Sequence, residues 1–262
     1  MNKLNYMKGL FCILFLAMAS LCQAQFFPPT PLAGKGNTDE YIRQNLHYPE
    51  QMLKDGQNGK VVVSFTVDEK GVGKNYQVTE SFCPEADAEV LKLVKRIEWL
   101  PATQELNRVS SEMQYPVEYH AKTYRRYWKN HERIEVPLTL AADTGYRIYD
   151  LHALEETAKP YFADGGTMAQ YILDNLEFPE SAKAAEISGK VRLSFVVETD
   201  GGISNIVIVN SVGGGCDNEA IRLLQGTRWI PAVKNGIYVR SRNFQDITFN
   251  IGARNYIDNG NY

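Results

Sequence analysis

Tyr41-Ile42-Arg43-Gln44-Asn45-Leu46-His47-Tyr48-Pro49-Glu50 returns 130 residues later as Tyr171-Ile172-Leu173-Asp174-Asn175-Leu176-Glu177-Phe178-Pro179-Glu180. The offset holds without a gap through Gly59-Lys60-Val61 and Gly189-Lys190-Val191, then Ser64-Phe65 and Ser194-Phe195. It continues through Gly71 and Gly201, Ser81 and Ser211, and Asp87-Ala88-Glu89 against Asp217-Asn218-Glu219. Trp99-Leu100-Pro101-Ala102 and Trp229-Ile230-Pro231-Ala232 close it. Solenoid units run only about 20–50 residues, so this period describes whole domains in tandem rather than stacked repeats.

Each copy spells out the same order of elements. Asn37 or Asp39 in one, and Gly166 or Thr167 in the other, open a helix with apolar residues at near-helical spacing. These are Tyr41, Ile42 and Leu46, then Met168, Tyr171, Ile172 and Leu176. Tyr48-Pro49 and Phe178-Pro179 stop it, because a residue before proline is pushed out of helical angles. A short helical stretch follows, Glu50 to Lys54 or Glu180 to Ala185.

Lys60 to Val67 and Lys190 to Val197 alternate like strands, with Val191, Leu193, Phe195 and Val197 on one face. Asp68-Glu69-Lys70-Gly71 and Asp200-Gly201-Gly202 supply turns, and Val72 to Glu80 or Ile203 to Asn210 returns as the hairpin partner. Asp87 and Asp217 are expected to cap the next helix. Its stripe is Val90, Leu91 and Val94, or Ala220, Ile221 and Leu224, and Trp99 and Trp229 anchor its end in the core. A late strand closes each unit, Gln114 to His120 or Gln245 to Ile251, placed at the sheet edge by order alone.

The chain outside the repeat is short. With 262 residues, 28 Lys+Arg against 31 Asp+Glu and 44% hydrophobic residues, the composition is that of a globular protein. A net charge of −3 offers no basic stripe to neutralise phosphates. Residues 1–24 read as a secretory signal. Lys3 and Lys8 form its positive start, Gly9 to Leu21 its apolar run, and Cys22-Gln23-Ala24 its cleavage region. That run is shorter than the about 20 residues of a membrane span, so a cleaved signal and a periplasmic product are expected. The alternative is an uncleaved signal holding the protein at the inner membrane. Leu21 stands where lipidation of Cys22 would want a small residue, so no lipid anchor is expected.

The predicted division is therefore a signal over 1–24, a first domain over 25–120, a connector over 121–160, a second domain over 161–254 and a tail over 255–262. In the connector, Lys122-Thr123-Tyr124-Arg125-Arg126-Tyr127-Trp128-Lys129 is basic and aromatic together. Such a run can stack on single-stranded nucleic acid. It occurs once, in an exported acidic chain, so it reads as a connector laying its rings on a domain. Leu138, Leu140, Tyr146, Ile148 and Tyr149 read as short strands. Two readings stay open for Cys83 and Cys216, a bridge or two separate thiols.

At this point the pattern resembles a known family, the C-terminal domain of the TonB energy transducer. The residues that carry the resemblance are Asn175 to Pro179, Gly189 to Val197, Asp200-Gly201, Ser211 to Glu219, Trp229-Ile230-Pro231-Ala232 and Ile247-Thr248-Phe249. Gly165-Gly166 fits the form seen among transducers of Bacteroidetes-type bacteria. The first copy departs at Pro84-Glu85-Ala86, where the second has Gly214-Gly215-Cys216.

The resemblance implies an α+β fold, two small tandem domains, each with two helices packed on a three-stranded antiparallel sheet. It also implies contact in the periplasm with an outer-membrane receptor or other envelope protein, whose extended segment adds a strand to the sheet. Any unpaired strand edge offers N–H and C=O groups for that purpose. The expected partner-binding residues are Gln245, Asp246, Ile247, Thr248, Phe249 and Asn250, with Gln114, Tyr115, Val117 and Tyr119. A full transducer resembling this family has a membrane helix and a long Pro-rich shaft. Here Gln25 to Ala33 alone separates the signal from the first unit, a reach of at most about 30 Å. The expectation is the receptor-contacting end of a transducer, doubled and without its shaft. The competing expectation is an envelope scaffold, or a homodimer that swaps strands, with no peptide ligand.

No enzyme site assembles in the sequence, and neither a cofactor nor a metal is expected. His47, His120, His131 and His152 lack metal-ligand spacing. Gly34-Lys35-Gly36-Asn37-Thr38 lacks the spacing of a phosphate loop. Cys216 after Gly213-Gly214-Gly215 stands at a helix start, where a thiol can be activated, but no local histidine pairs with it.

Overall fold

The computed structural model describes residues 25–251; the predicted signal (1–24) and tail (255–262) lie outside the described residues. The first unit opens with β1 (Phe26–Phe27), β2 (Thr30–Pro31), α1 (Lys35–Asn45) and α2 (Glu50–Lys54). Then come β3 (Gly59–Val67), β4 (Gly73–Glu80) and α3 (Pro84–Lys95). It closes with β5 (Trp99–Leu100), β6 (Ala102–Gln104), β7 (Asn107–Val109) and β8 (Ser111–Tyr119). Its main sheet is antiparallel in the order β4-β3-β8. Val61, Val63, Phe65 and Val67 face the helices and meet Val90, Leu93, Val94, Trp99, Val117 and Tyr119 in one buried core.

Between the units, α4 (Ala121–Asn130) and β9 (Ile148–Tyr149) are ordered. The basic aromatic run is thus a helix, and it lays its rings on the first unit. Tyr124 packs on the first core, and the Tyr127 hydroxyl donates to Glu40 at 3.1 Å. Leu138 and Leu140 lie outside any strand, whereas Ile148 and Tyr149 form one.

The second unit runs β10 (Lys159–Tyr161), α5 (Met168–Asn175), α6 (Glu180–Ala184), β11 (Gly189–Val197), β12 (Ile203–Asn210) and α7 (Cys216–Gln225). It ends with β13 (Arg228–Ile230), β14 (Ala232–Lys234) and β15 (Ile237–Phe249). Here the sheet has five strands rather than three, because β15 is long enough to pair β14, β11 and β9 along its length. Each unit also has a third, short helix. The predicted caps need correction: α3 starts at Pro84 and α7 at Cys216, and the Gly215 before it takes φ 86°. Asp87 and Asp217 sit inside the first turn and reach back to the loop. They accept from Ser81 and Ser211 at 2.5 Å and from the N–H of Phe82 and Val212 at 3.2 Å.

The units meet through buried charge. The C-terminal end of α3 and the chain after it dock on the start of β12 and on β15. Glu198, fully buried, receives Arg96 at 3.1 Å and Arg240 at 2.7 Å. Asn205 accepts from the Glu98 N–H and donates to the Arg96 carbonyl, both at 2.8 Å. Arg240 also donates to that carbonyl at 2.9 Å, and Arg242 pairs with Glu98 at 2.7 Å. Helix α1 packs on β12 beside this cluster.

Candidate partner-binding edges

Which backbone groups each late strand shows to solvent follows from the turns. The Asp68 N–H donates to the Val72 carbonyl at 3.0 Å, so Asp68 faces β4. Successive residues of a strand point to opposite sides. Val67, Phe65, Val63, Val61 and Gly59 therefore face β8, and the β3–β8 register pairs them with Ser111, Met113, Tyr115, Val117 and Tyr119. The register shifts of the neighbouring pair fall on β4, where Asn75 takes φ 56°, and leave β3 regular. Glu112, Gln114, Pro116 and Glu118 are left pointing outward. Pro116 fits that parity, since a proline without an N–H belongs on the unpaired side of an edge strand.

The same argument serves the second unit. The Glu198 N–H donates to the Gly202 carbonyl at 2.9 Å, so Val197 and its alternates face β15. Ser241, Asn243, Gln245, Ile247 and Phe249 are spent on β11. Arg242, Phe244, Asp246 and Thr248 point outward. Tyr238 checks the parity independently, because its N–H and C=O bond residues 141 and 143 of the connector, each at 2.8 Å.

The expected site residues thus divide by parity. Val117, Tyr119, Ile247 and Phe249 are buried in the two cores, and Tyr115 packs against the first. Gln114, Asp246 and Thr248 present backbone outward, whereas Gln245 faces β11. Asn250 follows the end of β15. Sequence reasoning missed Glu112, Glu118, Arg242 and Phe244, and it aligned the late strands one residue off. Both registers keep the offset of 130, so Pro116 matches Asp246 and Tyr119 matches Phe249.

The surroundings of the two edges differ. Beside β8, α1 and α4 wall a groove of about 210 Å³ over Ile42, Leu46, Tyr48, Tyr115, Val117 and Tyr124. Burial, with the Asp39 carboxylate close by, pushes the Tyr115 hydroxyl up from its ordinary pKa. On β15, Phe244 is 44% exposed with the Arg192 guanidinium 5.1 Å from its ring centre. Asp246 stands 3.6 Å from Lys190 and 3.8 Å from Arg192.

Cys83 and Cys216 are both free thiols. Burial, then Asp217, pushes the Cys216 thiol up, the opposite of an activated nucleophile. Among the described residues, no three His, Cys, Asp or Glu side chains gather to hold a metal ion. Among them, too, no helix is long and apolar enough to cross a membrane.

Comparison with known proteins agrees with this architecture. The family model described as Gram-negative bacterial TonB protein C-terminal matches residues 44–121 and, again, residues 174–251. No curated protein matches the chain.

Proposed function

The chain belongs to the TonB C-terminal family, twice over, and from that premise we propose that it is a periplasmic protein-binding module in TonB-linked transport across the envelope. It takes an extended segment of an outer-membrane receptor, or of another envelope protein, by strand addition to a late edge. The observation that carries this reading is that β8, and β15 from Phe244 on, leave one side of their backbone without a strand partner among the described residues. Free N–H and C=O groups in a row are the whole requirement of that binding mode, and side chains beside them add selectivity.

A scaffold without peptide ligand would use those strands to join its own domains. The joint seen here is polar and lies on β12 and the early part of β15, away from the outer sides of β8 and of Phe244–Phe249. That placement supports the binding reading over the scaffold.

The test is titration of the isotope-labelled protein with extended peptides derived from outer-membrane receptors, followed through backbone amide shifts. Shifts along β8 or β15 are expected. Their absence from both would end the proposal. Mass and N-terminal sequencing of the native protein from membrane and periplasmic fractions tests the location. A soluble product starting at Gln25 is expected, and an intact Met1 in the membrane fraction would replace it with an anchored form.

A further inference from the structure

Resting on that reading, we infer that the two copies are not equivalent: the outer side of β15 from Phe244 to Thr248 receives the partner, and Pro116 disqualifies the matching edge of β8. Three observations converge on this. The first is the continuity of the donors. Phe244, Asp246 and Thr248 offer outward N–H groups in an unbroken row, the Arg242 N–H being taken up by the β9 pairing at Tyr149, whereas β8 offers Glu112, Gln114 and Glu118 with a gap at Pro116 between them. A guest strand crossing that gap leaves one of its own carbonyls unpaired. A buried polar group left unpaired costs enough to weaken binding about tenfold or more.

The second observation is that this side of β15 already accepts extended chain. Residues 141 and 143 bond Tyr238, and β9 pairs in parallel with Arg240 and Ser241. The pairing then stops. From Phe244 onward the same side has no strand partner among the described residues, so a guest would continue an interface the fold has begun.

The third is the side chains. The exposed Phe244 ring gives an incoming apolar or aromatic residue a cross-strand neighbour. The outward positions of β8 carry Glu112 and Glu118 instead, and charged residues and proline are the usual means of blunting an edge. The occupant is accordingly an extended segment of a second protein, with at least four consecutive residues free to pair and an apolar side chain set against Phe244.

The experiment selects heptapeptides from a displayed random library on the full chain, then maps the tightest of them by backbone amide shifts. It is repeated on the reciprocal variants Asp246→Pro and Pro116→Asp. Position 116 shows that proline is compatible with this register, so Asp246→Pro keeps the ladder to β11. The expected result is shifts at Phe244–Thr248 but not at residues 112–118. Asp246→Pro should weaken binding about tenfold or more. Pro116→Asp should create a second site on β8, an outcome that stays readable even if Asp246→Pro unfolds. Equal shifts on both strands of the unaltered protein, or no gain from Pro116→Asp, would overturn the asymmetry while keeping strand addition. Peptides that bind and shift neither strand would overturn strand addition itself, and the asymmetry with it.

Discussion

Asp68 and Glu198 occupy the same position of the repeat and do opposite work. Asp68 is the acceptor that folds its turn. It takes the N–H of Lys70 and of Val72, each at 2.9 Å, and pairs with Lys74 at 2.8 Å. Lys74 first, and then those N–H groups, hold its carboxyl down at about 2. A carboxyl with a folded pKa below its unfolded value stabilises the fold above the unfolded value, about 4, and loses that contribution as pH falls toward about 2. Carboxyl-carbon NMR should therefore show Asp68 titrating near 2, and Asp68→Asn should flatten the part of the acid limb between about 4 and 2. A midpoint near 4 would refute the assignment. Glu198, by contrast, is sealed between Arg96 and Arg240. Beside it the buried Tyr41 hydroxyl has no hydrogen-bond partner among the described residues, and burial pushes its pKa up. Removing an unpaired buried hydroxyl costs no hydrogen bond. Tyr41→Phe should change unfolding free energy by less than about 0.5 kcal/mol, or raise it; a loss beyond about 2 kcal/mol in urea melts would reveal a missed partner.

The elements themselves were largely legible, because their signals are local. Strand alternation, the prolines after the first helix and the turn residues each act within a few positions. Hence β3, β11, β12 and the core tryptophans stand where the pattern put them. Thr167 caps α5 as read, accepting from Gln170 at 3.2 Å. What was illegible depends on contacts distant in sequence. The connector's aromatic run became α4 because Tyr124 and Tyr127 find α1 and the first core. The parity of the late strands needed a register that no composition supplies, and one residue of slip exchanges inward for outward groups. Pro116 was the clue available, for a proline inside a strand marks an unpaired side. The turn glycines carry a second non-local demand, shared by both units. Gly201 takes φ 81°, and a Cβ there would lie 2.6 Å from the Trp229 carbonyl; Gly71, at φ 83°, faces the Trp99 carbonyl in the same way. Gly201→Ala and Gly71→Ala should each cost more than about 1 kcal/mol, from backbone strain plus the clash. Thermal melts that moved by less than a degree would show that the hairpin relaxes freely.

At the scale of the whole molecule, the joint is built from positions where the copies disagree. Arg96 stands where the second unit has Gly226, Glu198 where the first has Asp68, and Arg240 where the first has Ser110. The repeat alone suggests two independent beads. Its divergent positions join them, and they bury the β12 end of the second sheet while the outer side of β15 beyond Arg242 has no strand partner among the described residues. Burying three charges is costly unless each is paired. Here Glu198 is met by both arginines and by Ser204 at 2.5 Å, and Arg96 reaches Asp200 at 2.7 Å. Burial opposes ionisation of Asp200, yet the Arg96 guanidinium outweighs it and, with Lys92 at 3.5 Å, holds that carboxyl below its usual range. A shared buried network couples the two units, so the protein should unfold in one cooperative transition rather than two. Arg96→Ala strips one cation from Glu198 and the nearest one from Asp200, while its carbonyl still receives Asn205 and Arg240. Losing one partner of a buried charge cluster costs about 3 kcal/mol. The variant should therefore separate the melt into two steps in calorimetry, and because the cluster is buried, added salt should neither mimic nor rescue the change. A single unshifted transition in Arg96→Ala would mean that the units are held together by apolar contact and that the charges are incidental.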